Sequence, residues 1–244
     1  MNAIDGYFES LRQMQERVLH SQRPAMERAA ERIAACLRGG GRVYTFGTGH
    51  GHLLALEIFY RAGGMAAVYP VLDERLMLHK SAAGSTDWER KAGLAAELLE
   101  TCPMRRGDVL LAISNSGRNA APVELALGAR ERGVFVIALT SLAHSRTVTP
   151  RNPEGLRLFE AADLVLDNGG VLGDAVWQAE DGGRVGPTST AMGAAILQAI
   201  VCRVKELSLA EGWKADFFLS SNVDGGDAVN GALLERYGDI PGLR

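Results

Sequence analysis

The feature that most constrains the fold is a pattern repeated along the chain, in which a short apolar run ends in small or polar residues and a helical segment follows. The apolar runs cover residues 42–46, 66–72, 109–113, 134–139 and 162–166. Continuous apolar strands separated by helices are typical of a parallel sheet covered on both faces. The chain has 244 residues, of which 47% are hydrophobic, and can bury the core of one large domain. The sequence therefore predicts an α/β fold.

The most informative junction follows the third run, where Ser114, Asn115, Ser116 and Gly117 form a turn before a helix that begins near residue 120. Such a turn points backbone N–H groups and two hydroxyls at one place, and the helix adds the positive end of its dipole. A phosphate group fits there. Serine and, at the end of the stretch, Asn119 are also common where a chain simply turns and caps a helix. This stretch alone leaves both interpretations open.

A second junction follows the first run and reads Gly47, Thr48, Gly49, His50, Gly51 and His52. Glycines let the backbone approach a ligand closely, as a turn that touches a phosphate or a sugar requires. The spacing differs from the dinucleotide fingerprint and no acidic residue ends a following strand, so NAD is not expected. His50 and His52 could ligate a metal, but no carboxylate or cysteine nearby completes a set. No metal is predicted, and a role as plain turn residues stays open for both histidines.

A third hydroxyl-rich junction, Thr188, Ser189 and Thr190, precedes a long helix predicted over residues 191–209. Three hydroxyls at the start of a helix suit an anion, although a simple N-cap explains one of them without a ligand. Residues 73–84, which include His79, lack clear periodicity and are predicted to form a loop or a short helix. A connection of this length in an α/β fold often lies over the site.

The remaining segments define the expected organisation. Apolar spacing over residues 5–37 predicts two amphipathic helices with a break just before Pro24, which cover the domain or a partner subunit. Thr86 opens a capping-box pattern, and its helix is expected to end near Thr101. Residues 142–160 are polar and are expected to form an exposed excursion. We assign residues 1–38 to N-terminal helices, 39–212 to the main domain, and 213–244 to a C-terminal tail with a structured turn and a short helix near residues 233–237.

Charge and cysteine usage exclude several function classes. There are 26 Lys and Arg against 29 Asp and Glu, a net charge of −3, and the basic residues are scattered. This argues against nucleic acid as the main partner. Cys36, Cys102 and Cys202 are widely spaced and suggest neither a disulfide framework nor a zinc site. Charged residues near the N-terminus and the absence of an apolar run of ~20 residues argue against a leader or a membrane span. We expect a cytoplasmic protein without a membrane partner.

Taken together, these junctions resemble those of the SIS (sugar isomerase) domain family of phosphosugar-binding proteins. The resemblance rests on residues 46–52, 113–119, 138–141 and 162–166, and the Ser-x-Ser-Gly element after a strand is its specific part. It implies a three-layer αβα fold of the flavodoxin-like or Rossmann-like kind, with a five-stranded parallel sheet and a site at the carboxyl ends of the strands. It also implies a homodimer or homotetramer whose subunits complete each other's sites.

The resemblance further implies a role for individual residues. Ser114, Ser116 and Asn119 would hold the phosphate, and the whole expected phosphosugar site comprises Gly47, Thr48, Gly49, His50, Ser114, Asn115, Ser116, Gly117, Asn119, Thr188, Ser189 and Thr190. The chain is similar to bacterial SIS proteins of unassigned reaction. Among members with known reactions it is similar to phosphoheptose isomerase and N-acetylmuramic acid 6-phosphate etherase.

The leading functional hypothesis is an enzyme that interconverts aldose and ketose forms of a sugar 6- or 7-phosphate, or carries out a related elimination. Isomerisation needs a base beside the carbonyl and an acid for the oxygen. The candidates are Glu57, His52 and His79, in that order. Each also has an ordinary explanation, as a solvated helix carboxylate, a turn residue and a loop histidine. A non-catalytic phosphosugar sensor or a protein-interaction adaptor is the alternative. No cofactor is predicted.

Overall fold

A five-stranded, fully parallel sheet forms the centre of the protein. The computed structural model describes residues 2–243. The strands are β1 (Val43–Gly47), β2 (Val68–Pro70), β3 (Val109–Ile113), β4 (Phe135–Thr140) and β5 (Leu164–Asp167), arranged in the order β2-β1-β3-β4-β5. Every adjacent pair in this sheet runs parallel. The predicted α/β fold with a five-stranded parallel sheet is confirmed.

Helices cover both faces of the sheet. They are α1 (Ala3–Arg38), α2 (Gly51–Glu57), α3 (Ala82–Arg90), α4 (Leu94–Thr101), α5 (Ala120–Glu131), α6 (Leu142–Ser145), α7 (Leu158–Ala161), α8 (Ser189–Ala210) and α9 (Gly226–Arg236). One apolar core lies between the sheet and α1, α2 and α8, and the other between the sheet and α4, α5, α7 and α9. Within residues 2–243, no helix combines the length and the apolar character needed to cross a membrane.

The two cores explain why the strands are mostly apolar. In β1, Tyr44 and Phe46 belong to the core beside α4 and α5, whereas Val43 belongs to the core beside α1 and α8. In β3, Leu110 and Leu111 divide in the same way. Because successive side chains of a strand face opposite sides, a strand that is buried on both faces is apolar at most positions, and its few polar side chains, Thr45 and Thr140, are hydrogen-bonded.

The N-terminal segment is one helix, so the prediction of two helices with a break before Pro24 is wrong. Helix α1 continues through the proline from Ala3 to Arg38. An internal proline removes one backbone hydrogen bond and usually kinks or breaks a helix. Here Met14 before the proline and Ile33 after it are buried in the same core, next to α8. Burial along both halves of the helix offsets the local cost.

The segment after β2 also differs from the prediction. Residues 82–101 form two helices, α3 and α4, which are separated at Gly93 with φ +87°. The side chain of Ser81, not Thr86, caps the first of them by accepting a hydrogen bond from the backbone N–H of Gly84. The capping-box pattern at Thr86 therefore lies inside a helix. The N-cap is the last residue with extended backbone before a helix begins. Sequence spacing alone does not determine where the chain changes from extended to helical.

Two later segments are more ordered than the sequence indicates. Residues 142–160 are mostly exposed or half-buried, as expected, but they contain the short helix α6 and most of the short helix α7. Residues 175–187 form an antiparallel hairpin of β6 (Ala175–Gln178) and β7 (Arg184–Pro187), which lies outside the main sheet. The hairpin was not predicted because its strands are short and carry charged and glycine residues. It matters for function because it leads directly into α8.

We expect Gly47→Ala to lower the free energy of unfolding by about 1–3 kcal/mol, the usual cost of overpacking. A Cβ at Gly47 would overlap the carbonyl group of Gly51, and both groups belong to the backbone of the first βα turn. Gly231→Ala is the matched control, because a Cβ at that position in α9 meets nothing within 4 Å. The control should be neutral or stabilising. Urea unfolding measures both variants, and a wild-type midpoint for Gly47→Ala would contradict the packing argument.

Candidate functional site

The candidate site lies where the direction of the strand order changes. The chain adds β2 on one side of β1 and then places β3 on the other side. The turns that follow β1 and β3 therefore diverge at the carboxyl end of the sheet and leave a crevice between them, which is the usual binding position in open α/β sheets. Gly47 pairs with Ile113 at the ends of the two strands. A cleft of about 430 Å³ opens there.

The cleft brings together most of the residues that the sequence predicts as phosphosugar contacts. The predicted residues that line it are Thr48, Gly49, His50, Ser114, Asn115, Ser116, Asn119, Ser189 and Thr190. Gly47, Gly117 and Thr188 lie behind this surface in the backbone that shapes it. The cleft wall also includes four polar residues that the sequence analysis did not single out, namely Glu89, His144, Asn168 and Asp174.

The turn after β3 is held in place by its own hydrogen bonds. The backbone N–H of Gly117 donates to the hydroxyl oxygen of Ser114 at 3.2 Å. The side-chain oxygen of Asn115 accepts from the amide of Asn168 at 2.9 Å. Gly117 has φ +59°, a conformation that favours glycine. Ser116 makes no hydrogen bond within residues 2–243, so its hydroxyl is free to bind a ligand.

Three buried polar atoms beside this turn have no hydrogen-bond partner within residues 2–243. They are Oδ1 of Asn119, Nδ1 of His144 and Oγ of Ser145. Buried polar groups are almost always paired with protein or water, and an unpaired one costs free energy. Several such atoms around one turn indicate a place where a polar ligand completes the hydrogen bonding.

His144 and Glu89 add titratable groups to the cleft wall. His144 lies in α6, just beyond the carboxyl end of β4, and Glu89 lies in α3. The position of His144 after a strand end was a usable signal, because loops at that end of a parallel sheet meet at the site. The sequence marks Glu89 only as the acidic residue of the capping-box pattern that opens at Thr86, and not as a site residue. Its position depends on how the long connection after β2 folds back over the sheet.

We expect the imidazole of His144 to titrate below its ordinary pKa of about 6.5. Burial lowers the pKa of His144, the negative charge of Asp174 opposes this, and the positive charge of Arg118 adds to the lowering. The unfolded chain then binds more protons just below pH 6.5, so this group makes stability rise with pH in that window. NMR titration of the ring, assigned with His144→Gln, measures the pKa. A value above 6.5 in the free protein would contradict the burial argument.

Asp174 occupies the start of the long helix α8. Its carboxylate accepts hydrogen bonds from the backbone N–H groups of Thr188 at 3.0 Å and Ser189 at 2.8 Å, and from the hydroxyl of Ser189 at 2.5 Å. A carboxylate therefore already sits where the sequence analysis placed a bound anion. Of the three predicted hydroxyls, that of Thr190 lines the cleft without an intramolecular hydrogen bond in the described chain. The roles of Thr188, Ser189 and Thr190 in ligand binding stay predictions.

We expect Asp174→Ala to lower the free energy of unfolding by about 1–2 kcal/mol, the usual range for loss of a helix N-cap. The substitution removes the acceptor for the first backbone N–H groups of α8 and places alanine at φ +69°. Asp174→Asn is the matched control, because asparagine keeps one acceptor oxygen and tolerates positive φ. Thermal and urea unfolding should rank the variants wild type, Asn, Ala. An alanine variant as stable as wild type would show that the cap contributes nothing.

The three predicted catalytic residues lie outside the cleft of this protomer. Glu57 forms an ion pair with Arg61 and accepts a hydrogen bond from the amide of Gln198 at 3.0 Å. His52 is buried, and its Nδ1 lies 2.5 Å from the carbonyl oxygen of Gly49. The rings of His52 and His79 have centroids 6.3 Å apart. Their roles in catalysis stay predictions.

The two histidines of the first turn do not converge. His50 lines the cleft, whereas His52 points into the protein behind the turn. Within residues 2–243, no three side chains of the His, Cys, Asp or Glu type come together in a group that could hold a metal ion.

Comparisons with known proteins identify a matching family model, related sequences and similar structures. The SIS domain model matches residues 6–141, more than half of the chain. A UPF0309 protein of Listeria monocytogenes serotype 4b is 39% identical over 237 residues, which cover 97% of this chain and 96% of the relative. The structure of phosphoheptose isomerase from Neisseria gonorrhoeae is similar with a TM-score of 0.56 at 18% identity, covering 83% of this chain and 97% of that chain. The sugar isomerase domain of an RpiR transcription factor from Sphaerobacter thermophilus is similar with a TM-score of 0.50 at 20% identity, covering 86% and 96%.

Proposed function

The chain belongs to the SIS domain family, and from this premise we propose that its cleft binds a sugar phosphate and that the protein acts on the bound sugar as an aldose-ketose isomerase or a related lyase. The likeness of the phosphoheptose isomerase structure supports the fold, and the reaction is argued from the cleft itself. The proposal includes a homodimer or homotetramer as the working assembly, as the family resemblance implies.

The hydroxyl groups at the turn after β3 support phosphate binding most directly. Within the described chain, the hydroxyl of Ser116 has no partner, and Ser114 lies beside it on the cleft wall. Helix α5 begins at Ala120, directly behind the turn. A phosphate supplies acceptor oxygens for the hydroxyls and backbone N–H groups, and negative charge for the helix terminus. The cleft is large enough to hold the sugar as well.

Glu89 and His144 supply the proton transfers in this proposal. Isomerisation moves a proton from the carbon beside the carbonyl to the carbonyl carbon, and a second proton passes between the two oxygens. Asp174 is already bound by three donors, so Glu89 is the cleft carboxylate free to act as the base. Burial lowers the pKa of His144 and so favours the neutral imidazole, which can accept and return a proton.

One observation favours a second function. Glu57, His52 and His79 do not line the cleft, and Glu57 and His52 are hydrogen-bonded elsewhere. A cleft that binds a sugar phosphate without turnover would serve as a sensor or an adaptor. The likeness to the sugar isomerase domain of an RpiR transcription factor is compatible with that use of the fold.

Proton NMR in D₂O separates the two functions. The protein is incubated with a panel of aldose, ketose and amino-sugar phosphates that raise its melting temperature. An isomerase or lyase incorporates deuterium beside the carbonyl of at least one of them, because abstraction of that proton begins both reactions. Stabilisation by a sugar phosphate without exchange or product would contradict the enzymatic proposal and support the sensor or adaptor.

A further inference from the structure

Three arginines without an acidic partner lie near one another, each next to a residue that lines the cleft or pairs with one. They are Arg90 at the end of α3, Arg118 next to the turn after β3, and Arg151 in the segment between α6 and α7. None of the three forms an ion pair within residues 2–243, although many other arginines of the protein do. The net charge of −3 and the scattered basic residues argue against nucleic acid as the partner of this cluster.

The backbone fixes two of these arginines side by side. The N–H of Arg151 donates to the carbonyl oxygen of Arg118 at 2.6 Å, and Asn119 pairs with Arg151 as a parallel bridge. The side-chain amide of Asn152 also donates to the carbonyl oxygen of Arg118, at 3.0 Å. Arg118 and Arg151 are therefore both attached to the turn that ends at Asn119 on the cleft wall.

The guanidinium of Arg118 points away from the turn that would hold the phosphate. Its Nε donates to the carbonyl oxygen of Thr149 at 2.8 Å, which directs the group toward residues 149–151. The Cα atoms of residues 116 and 118 are at most about 7 Å apart, the reach of two extended residues. A ligand bound at Ser116 that extends toward residues 149–151 therefore approaches the guanidinium of Arg118.

Arg90 approaches the same place from α3. Its neighbour Glu89 lines the cleft, so the end of this helix lies at the cleft wall. The pKa of Arg118 is lowered by partial burial first and then by the positive charges of Arg151 and Arg90. Arginine remains charged at neutral pH, so three positive charges stay close together at the rim.

We propose that Arg90, Arg118 and Arg151 form a second anion subsite, so that the ligand of the cleft is a phosphosugar that carries another anionic group, a carboxylate or a second phosphate. This inference rests on the proposed function, because the first phosphate is assigned to the turn at Ser114 and Ser116. Arginine suits the second group, since its planar donors match carboxylate and phosphate oxygens in pairs.

Two matched ligand pairs test the proposal by calorimetry at constant ionic strength. Glucose 6-phosphate and 6-phosphogluconate differ by a carboxylate at the far end, and fructose 6-phosphate and fructose 1,6-bisphosphate differ by a second phosphate. We expect the wild-type protein to bind the doubly anionic member of at least one pair about tenfold or more tightly, as hydrogen bonds to a charged group allow. The pair that shows the preference identifies the second group as carboxylate or phosphate.

The variant Arg118→Gln with Arg151→Gln should remove that preference and leave the affinity for the monophosphate nearly unchanged. Arg90→Gln, at an exposed helix end, should reduce the preference with little risk to the fold. The control is Arg17→Gln with Arg28→Gln, two exposed arginines of α1 that change the net charge equally. The control should keep the full preference, which separates a local subsite from general electrostatic attraction.

Other outcomes overturn the inference in distinguishable ways. Equal binding of both members of each pair by the wild-type protein leaves the proposed function standing and removes the second subsite. An equal loss for both members in the arginine variants assigns these arginines to the first phosphate instead. Binding of neither these ligands nor inorganic phosphate contradicts the proposed function together with the inference built on it.

Discussion

Replacing Ser114 and Ser116 together by alanine will weaken binding of a sugar phosphate by at least about 100-fold. A hydrogen bond to a charged group contributes about 1.5–3 kcal/mol, and two are lost. Ser114 also supports the turn, because its hydroxyl oxygen accepts from the N–H of Gly117. The single variant Ser116→Ala removes a hydroxyl that has no partner in residues 2–243, so it tests ligand binding without loosening the turn. Calorimetry with the sugar phosphate that most stabilises the wild-type protein measures both variants.

The control for this prediction removes two serine hydroxyls from other parts of the protein. Ser10 and Ser208 donate within α1 and α8 to the carbonyl oxygens of Gly6 and Lys205, and neither residue lines the cleft. Their double alanine variant should bind the sugar phosphate as the wild-type protein does. Wild-type affinity in the Ser114 and Ser116 double variant, with an intact circular dichroism spectrum, would show that the phosphate binds somewhere else.

Replacing Glu89 by glutamine will lower the rate of deuterium exchange into the bound sugar by about 10²–10⁴-fold, the usual contribution of a positioned general base. Glutamine keeps the shape and hydrogen-bonding capacity of the side chain but cannot accept the proton at neutral pH. Affinity for the sugar phosphate should stay close to wild type, because the phosphate is held by the turn after β3. The exchange rate is measured by NMR, and the affinity by calorimetry on the same preparation.

Glu57→Gln is the matched variant for this prediction. Glu57 pairs with Arg61 and Gln198 outside the cleft, so its loss should leave exchange near the wild-type rate. The opposite result, with exchange abolished by Glu57→Gln and retained in Glu89→Gln, would reject Glu89 as the base. It would return the role to the residue that the sequence analysis ranked first, acting on the cleft of a neighbouring subunit.

The sheet was predictable because its strands are buried on both faces. Tyr44, Phe46 and Val43 divide between two cores, and the one polar residue among them, Thr45, is buried with its hydroxyl donating to the carbonyl oxygen of Ala55. Such runs are readable without knowledge of what packs on them. The turn at Ser114 was predictable for a related reason, since hydroxyl residues that follow a buried strand and precede a helix lie at the carboxyl edge of the sheet.

The rest of the site depends on contacts between segments distant in sequence. Glu89 reaches the cleft only because the chain after β2 forms two helices rather than one, with the separation at Gly93. Asp174 reaches α8 because the unpredicted hairpin turns the chain back, so its carboxylate meets backbone N–H groups about fifteen residues later. Pro24 predicts a break that is not present, because residues of α1 on both sides of the proline are buried in one core. Local patterns carry none of this information.

A backbone amide NMR titration with each sugar phosphate of the panel, and with its unphosphorylated sugar, shows whether the turn after β3 binds the phosphate group. We expect one or more phosphorylated sugars to shift the amide signals of residues 114–117, including Gly117, and of the first turn of α5, and we expect no such shifts with the free sugars. Shifts that avoid this turn, or equal shifts with and without the phosphate group, would contradict the assignment of the cleft as a phosphosugar site.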